Sequence, residues 1–167
     1  MAEAAERHSR PGEVRSSDTA GAIYGTIASM AVIAAGARDV AVDKLLWVTL
    51  ATLGVFWVAH VYADTLAHHL RGAKHIDLSA IRRAMAEEWP LVTGPLPGLV
   101  FLALGATGLF ADDVAIRLAL WCGVVQLFGW GISLARRQNW SWQIALTAGA
   151  LNALLGIAIV VLEVVIH

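Results

Sequence analysis

The sequence predicts an all-α membrane protein with about five transmembrane helices and a short amphipathic interfacial helix between helices 2 and 3. Three observations carry that expectation. Hydrophobic residues fill 58% of the 167 positions and charged residues only 15%, too few to clothe a soluble surface. The charges collect between long apolar runs instead of being spread through them. The basic residues also divide unequally between the two sides that those runs define.

Residues 1–19 contain Arg7, Arg10, Glu13, Arg15, Ser16 and Ser17 and almost no large apolar side chain. Burial cannot offset the entropy of ordering such a segment, so it is expected to be a flexible cytoplasmic tail, with residues 20–167 forming a single transmembrane domain. The first span, 20–37, is free of charge and long enough to cross, but it leans on Ala and Gly and is only weakly apolar. A signal peptide cleaved near Ala35, Gly36 and Ala37 gives the same profile; the long polar tail ahead of it favours a retained helix. The second span covers 45–67, and its helix continues through His68 and His69 to Arg71. A helix of that length rises about 39 Å against a hydrocarbon core of about 30 Å, so its last turns belong in the interface.

Charges return with Lys74, Asp77, Arg82, Arg83, Glu87 and Glu88, while Leu78, Ile81 and Met85 recur at helical spacing. This pattern describes a surface helix over about 77–88. Three further spans follow at 90–111, 114–135 and 143–166, edged by Trp89, Trp140 and Trp142, whose amphipathic rings prefer the interface. Within the first of these, Pro95 and Pro97 each remove a backbone donor from the helical ladder, so a kink or break is expected there.

Five spans place the termini on opposite sides. One side then receives Arg7, Arg10, Arg15, Arg71, Lys74, Arg82, Arg83, Arg136 and Arg137, and the other only Arg38, Lys44 and Arg117. The positive-inside rule sets the N-terminus in the cytoplasm and the C-terminus outside. Twelve Lys and Arg against thirteen Asp and Glu leave no basic excess for nucleic acid, so the bilayer is the expected partner, with a homo-oligomer as a further possibility. Cys122 stands alone, which removes any intrachain disulfide and any cysteine-based metal site.

The chemistry-bearing segment is His60-Val-Tyr62-Ala-Asp64, followed by His68 and His69. Residues 60, 64 and 68 share one stripe of a helix. Two readings stand side by side. The stripe forms an ion or proton site with His60, Asp64 and Tyr62, continued by Gln126 and Asn152 at mid-membrane depth; or His60 is a hydrogen-bonded packing residue and Asp64 a partner of Arg71, Arg82 or Arg83. A mononuclear metal set of His60, Asp64 and Glu87, or Glu88 in its place, is a third arrangement. No particular cofactor is indicated. For Thr26, Ser29 and Thr147, interhelical hydrogen bonding is the expected role, and Gly21, Gly25, Gly129 and Gly131 read as close helix contacts.

Trp57-Val-Ala-His60-Val-Tyr62-Ala, Arg82-Arg83-Ala with Glu88-Trp89-Pro90, and Leu127-Phe128-Gly129-Trp130-Gly131 together resemble a family of small uncharacterised integral membrane proteins of high-GC Gram-positive bacteria. The resemblance covers residues 20–167 and implies a bacterial plasma-membrane location, but no activity. The functional expectation is a small proton or cation channel or transporter; a non-catalytic scaffold or partner subunit is the alternative, and a membrane-embedded metal-dependent enzyme the third.

Overall fold

A computed structural model describes residues 11–70 and 78–166, and no strand occurs among them. The helices are α1 (Pro11–Gly36), α2 (Val42–Leu70), α3 (Leu78–Glu87), α4 (Trp89–Thr93), α5 (Leu96–Ala106), α6 (Asp112–Arg137) and α7 (Trp142–Ile166). Four stretches are long and apolar enough to cross a membrane: Thr19–Gly36, Val42–Ala67, Asp112–Arg137 and Trp142–Val165. A bent pair, Ile81–Thr93 with Leu96–Ala106 at an angle of 56°, meets the same test when its two parts are taken together, which makes four or five candidate spans. The protein is thus an all-α membrane protein, as its apolar runs predict.

The start of α1 differs from expectation. The helix reaches back to Pro11, inside the segment read as a flexible tail. Proline suits a first helical turn, where its missing N–H has no intrahelical acceptor, and extending a helix already nucleated over 19–36 costs little. Residues 1–10 lie outside the described residues.

The weakly apolar α1 sits centrally, packed on α2, α4, α6 and α7. Met30 and Ile33 are buried in the common core with Leu45 and Leu53 of α2, Leu91 of α4, Leu102 of α5, and Leu120 and Leu127 of α6. Protein covers 44% of its apolar stretch, more than in the other long spans, and the hydroxylated Thr19, Thr26 and Ser29 lie on that covered side. Thr26 Oγ1 donates to the Ala22 carbonyl at 2.7 Å and Ser29 Oγ to the Thr26 carbonyl at 2.9 Å. Both hydroxyls are therefore satisfied within their own helix, as is Thr147, which donates to the Gln143 carbonyl at 2.9 Å. The expected interhelical bonds are not made by these three, because a carbonyl one turn back is nearer than any partner on a neighbouring helix.

The break between α4 and α5 follows from its prolines. Pro95 and Pro97 offer no N–H to the carbonyls of Leu91 and Thr93, so the ladder stops at the bond from Gly94 N–H to the Pro90 carbonyl, 2.8 Å, and restarts from Gly98 to Pro95 at 3.0 Å. Gly94 lets the break lie against α1, since a Cβ there would stand 2.7 Å from the Ala22 Cα. The α3 helix is amphipathic as expected: Ala84 is buried, whereas Arg82 and Arg83 are exposed.

Asp112 and Asp113 open α6 and Arg136 and Arg137 close it, each favourable to the helix dipole. The α6–α7 turn relies on Asn139 at φ 57°, a left-handed position that Asn tolerates, with Trp140 N–H bonded back to the Ala135 carbonyl at 3.2 Å. Arg136 reinforces the turn, donating to the Trp140 carbonyl at 3.0 Å and lying 5.5 Å from the centre of the Trp142 ring. At the other end of α6, Arg117 pairs with Asp113 one turn away, both side chains about two-thirds exposed. Exposed pairs of this kind contribute little, so Arg117→Ala is expected to change unfolding stability in micelles by under about 1 kcal/mol.

Candidate functional site

Where the apolar stretch of α2 approaches its end at Ala67, the helix meets the junction of α3 and α4. Two tryptophans tie these elements together. The Trp57 indole N–H donates to the Met85 carbonyl at 3.4 Å, and the Trp57 and Trp89 rings meet edge to face with centroids 5.8 Å apart. Above them on the same side of α2 come His60 and Asp64, one and two turns further along, both half-buried.

His60 Nδ1 lies 2.8 Å from the Phe56 carbonyl. A carbonyl only accepts, so Nδ1 carries the proton in this contact and Nε2 is the ring's remaining basic atom. The third member comes from the α3–α4 junction: Glu88, the residue before α4, lies within electrostatic reach of His60, Asp64 and Glu87.

Other expected site residues are placed elsewhere. Tyr62 is 67% exposed, because two residues from His60 put it on the far side of α2. Gln126 of α6 donates from Nε2 to the Gly94 carbonyl, and its Oε1 accepts from the Cys122 thiol at 3.7 Å. It answers the carbonyl that the α4–α5 break leaves without a helical donor, the demand that a bilayer interior imposes on any irregular backbone. Asn152 of α7 packs on α6, its Nδ2 2.8 Å from where a Cβ would stand on Gly131. Gln126, Asn152 and His60 therefore each make a separate contact. Among the described residues no three His, Cys, Asp or Glu side chains are grouped to hold a metal ion, so the set of His60, Asp64 and Glu87 is not assembled. Glu87 is secondary to Glu88, which faces the α2 pair. The side chain of His68 and the whole of Arg71 and His75 lie outside the described residues.

Sequence reading treated Glu87 and Glu88 as interchangeable. What separates them in the structure is that Glu88, the residue before the Trp-Pro start of α4, lies within electrostatic reach of His60 and Asp64.

Fold and site together define a small helical integral membrane protein with imidazole and carboxyl groups gathered near one end of a span. No protein-family model matches the chain, and neither a curated protein nor a solved structure does.

Proposed function

We propose that this is a small proton-handling permeation or transport protein of a bacterial plasma membrane, with its N-terminus in the cytoplasm, its C-terminus outside, and several copies in the working assembly. The observation that carries the reading is the convergence of His60 and Asp64 on α2 with Glu88 from a separate element, all three half-buried and within electrostatic reach of one another. Ionisable groups at such depth are costly and usually mark a pathway. Leu53, Leu102 and Leu127 fill the middle of the bundle, so the route runs along the side of α2 that meets the α3–α4 junction. Trp47, Val55 and Tyr62, on the opposite and exposed side of that helix, offer an apolar surface for contacts between copies.

A scaffold or partner subunit is the second reading, favoured by the purely structural contacts of Gln126 and Asn152. Proton flux into proteoliposomes under an imposed potential separates the two. Flux lowered by Asp64→Asn, His60→Ala and Glu88→Gln, in folded protein of verified orientation, supports the pathway. A folded wild type that carries no protons would sink it in favour of the scaffold.

A further inference from the structure

Away from the α2 cluster, α1, α4 and α6 enclose an open cleft of about 240 Å³. Each helix contributes one residue at the edge of its apolar stretch: Thr19 begins that of α1, Pro90 lies in the first turn of α4, and Arg137 ends α6. Each also contributes a deeper one. Ala22 and Thr93 lie three residues further in, and Trp130 lies two turns back from Arg137 on the same face of α6, about 10 Å along the axis. The cleft therefore grades over a short distance from a guanidinium beside a threonine to an indole among Ala22 and Gly94.

This gradient matches the amphipathy of a phospholipid and not that of a free ion. A small hydrated anion would have to exchange water for the apolar walls of Ala22, Pro90 and Gly94, whereas a lipid brings its own apolar part to them. Charge complementarity points the same way, since Arg137 is the cleft's one charged lining residue and stands where its polar end begins. Arg136, its neighbour in sequence, is turned to Trp140 and Trp142 and does not line the cleft.

We infer that the cleft binds an anionic phospholipid, with the phosphate at the level of Arg137 and Thr19, the glycerol esters near Trp130, and an acyl chain continuing along α1 and α6. The inference does not depend on the proton reading.

The test is native mass spectrometry of the delipidated full-length protein, titrated with phosphatidylglycerol or phosphatidylcholine in detergent. Wild type is expected to prefer the anionic lipid by about tenfold, and Arg137→Gln to bring that preference within about twofold, the scale of one basic residue at a lipid surface. Arg137→Lys should retain most of the preference, and Arg136→Gln should leave it nearly unchanged. Circular dichroism verifies that each variant is folded; should Arg137→Gln fail to fold, the contrast between wild type and Arg136→Gln, with the phosphate competition below, still decides. Three results would overturn the inference: no anionic preference in folded wild type, an equal loss in Arg136→Gln and Arg137→Gln, or displacement of the lipid by inorganic phosphate.

Discussion

Replacing Gly25 by alanine will lower the stability of the bundle by about 3 kcal/mol, at the upper end of what overpacking costs. A Cβ at that position falls directly on the carbonyl of Leu91, and it would also lie 2.8 Å from the carbonyl carbon. Those atoms are backbone, so no rotamer change relieves the clash and α4 as a whole must retreat from α1. Retreat would in turn loosen Leu91, which is buried in the core. Two other glycines calibrate the result. At Gly21 the nearest atom is 3.4 Å away, and at Gly54 nothing lies within 4 Å. Gly54→Ala is accordingly expected to be neutral or to stabilise α2 by up to about 1 kcal/mol through helix propensity. Reversible unfolding of the three variants in mixed micelles gives the ranking. If Gly25→Ala and Gly54→Ala are alike, the close approach of α1 and α4 is wrong.

The second large effect concerns Gln126. Exchange for methionine keeps the length of the side chain but removes the donor to the Gly94 carbonyl, and a stability loss of about 1–3 kcal/mol is expected for an acceptor stranded in apolar surroundings. Glu in the same place tests the sign of the contact, since a carboxylate would set an acceptor against an acceptor. Proton flux offers a second readout. A residue on the conduction route would lose transport in a folded protein, whereas a residue that answers a broken backbone loses stability first. Unimpaired folding of Gln126→Met with flux abolished would return Gln126 to the pathway.

Much of the architecture was open to reading from the sequence because a bilayer imposes few solutions. Apolar runs near 20 residues long, interrupted by charge, mean helices, and Pro95 with Pro97 must break one of them. The central place of α1 was not legible. Hydropathy counts side chains without asking whether lipid or protein will surround them, and Thr26 and Ser29 lower the signal in the helix that protein covers best. The candidate site was half legible. Helical spacing puts His60 and Asp64 on one stripe, but Tyr62 follows the motif in sequence and leaves it in space. Glu88 joins the pair through a contact between distant segments, which periodicity within one helix cannot reveal. Depth alone could not supply the contacts of Gln126 with Gly94 and of Asn152 with Gly131, since equal distance from the flanking arginines says nothing about which neighbour each side chain meets.

The central position of α1 has a consequence for biogenesis. As the chain emerges, this helix precedes α2, α4 and α6, yet it is the least apolar of the long spans and its hydroxyl groups and glycines are shaped for protein neighbours that have not yet been made. Alone in the bilayer it offers Gly21 and Gly25 to lipid, where the fold offers them to the backbone of Leu91. Its residence in the membrane becomes secure only once the segment carrying α4 has been synthesised and α6 has followed. Assembly of this protein is therefore completed backwards, its first helix fixed by its later ones.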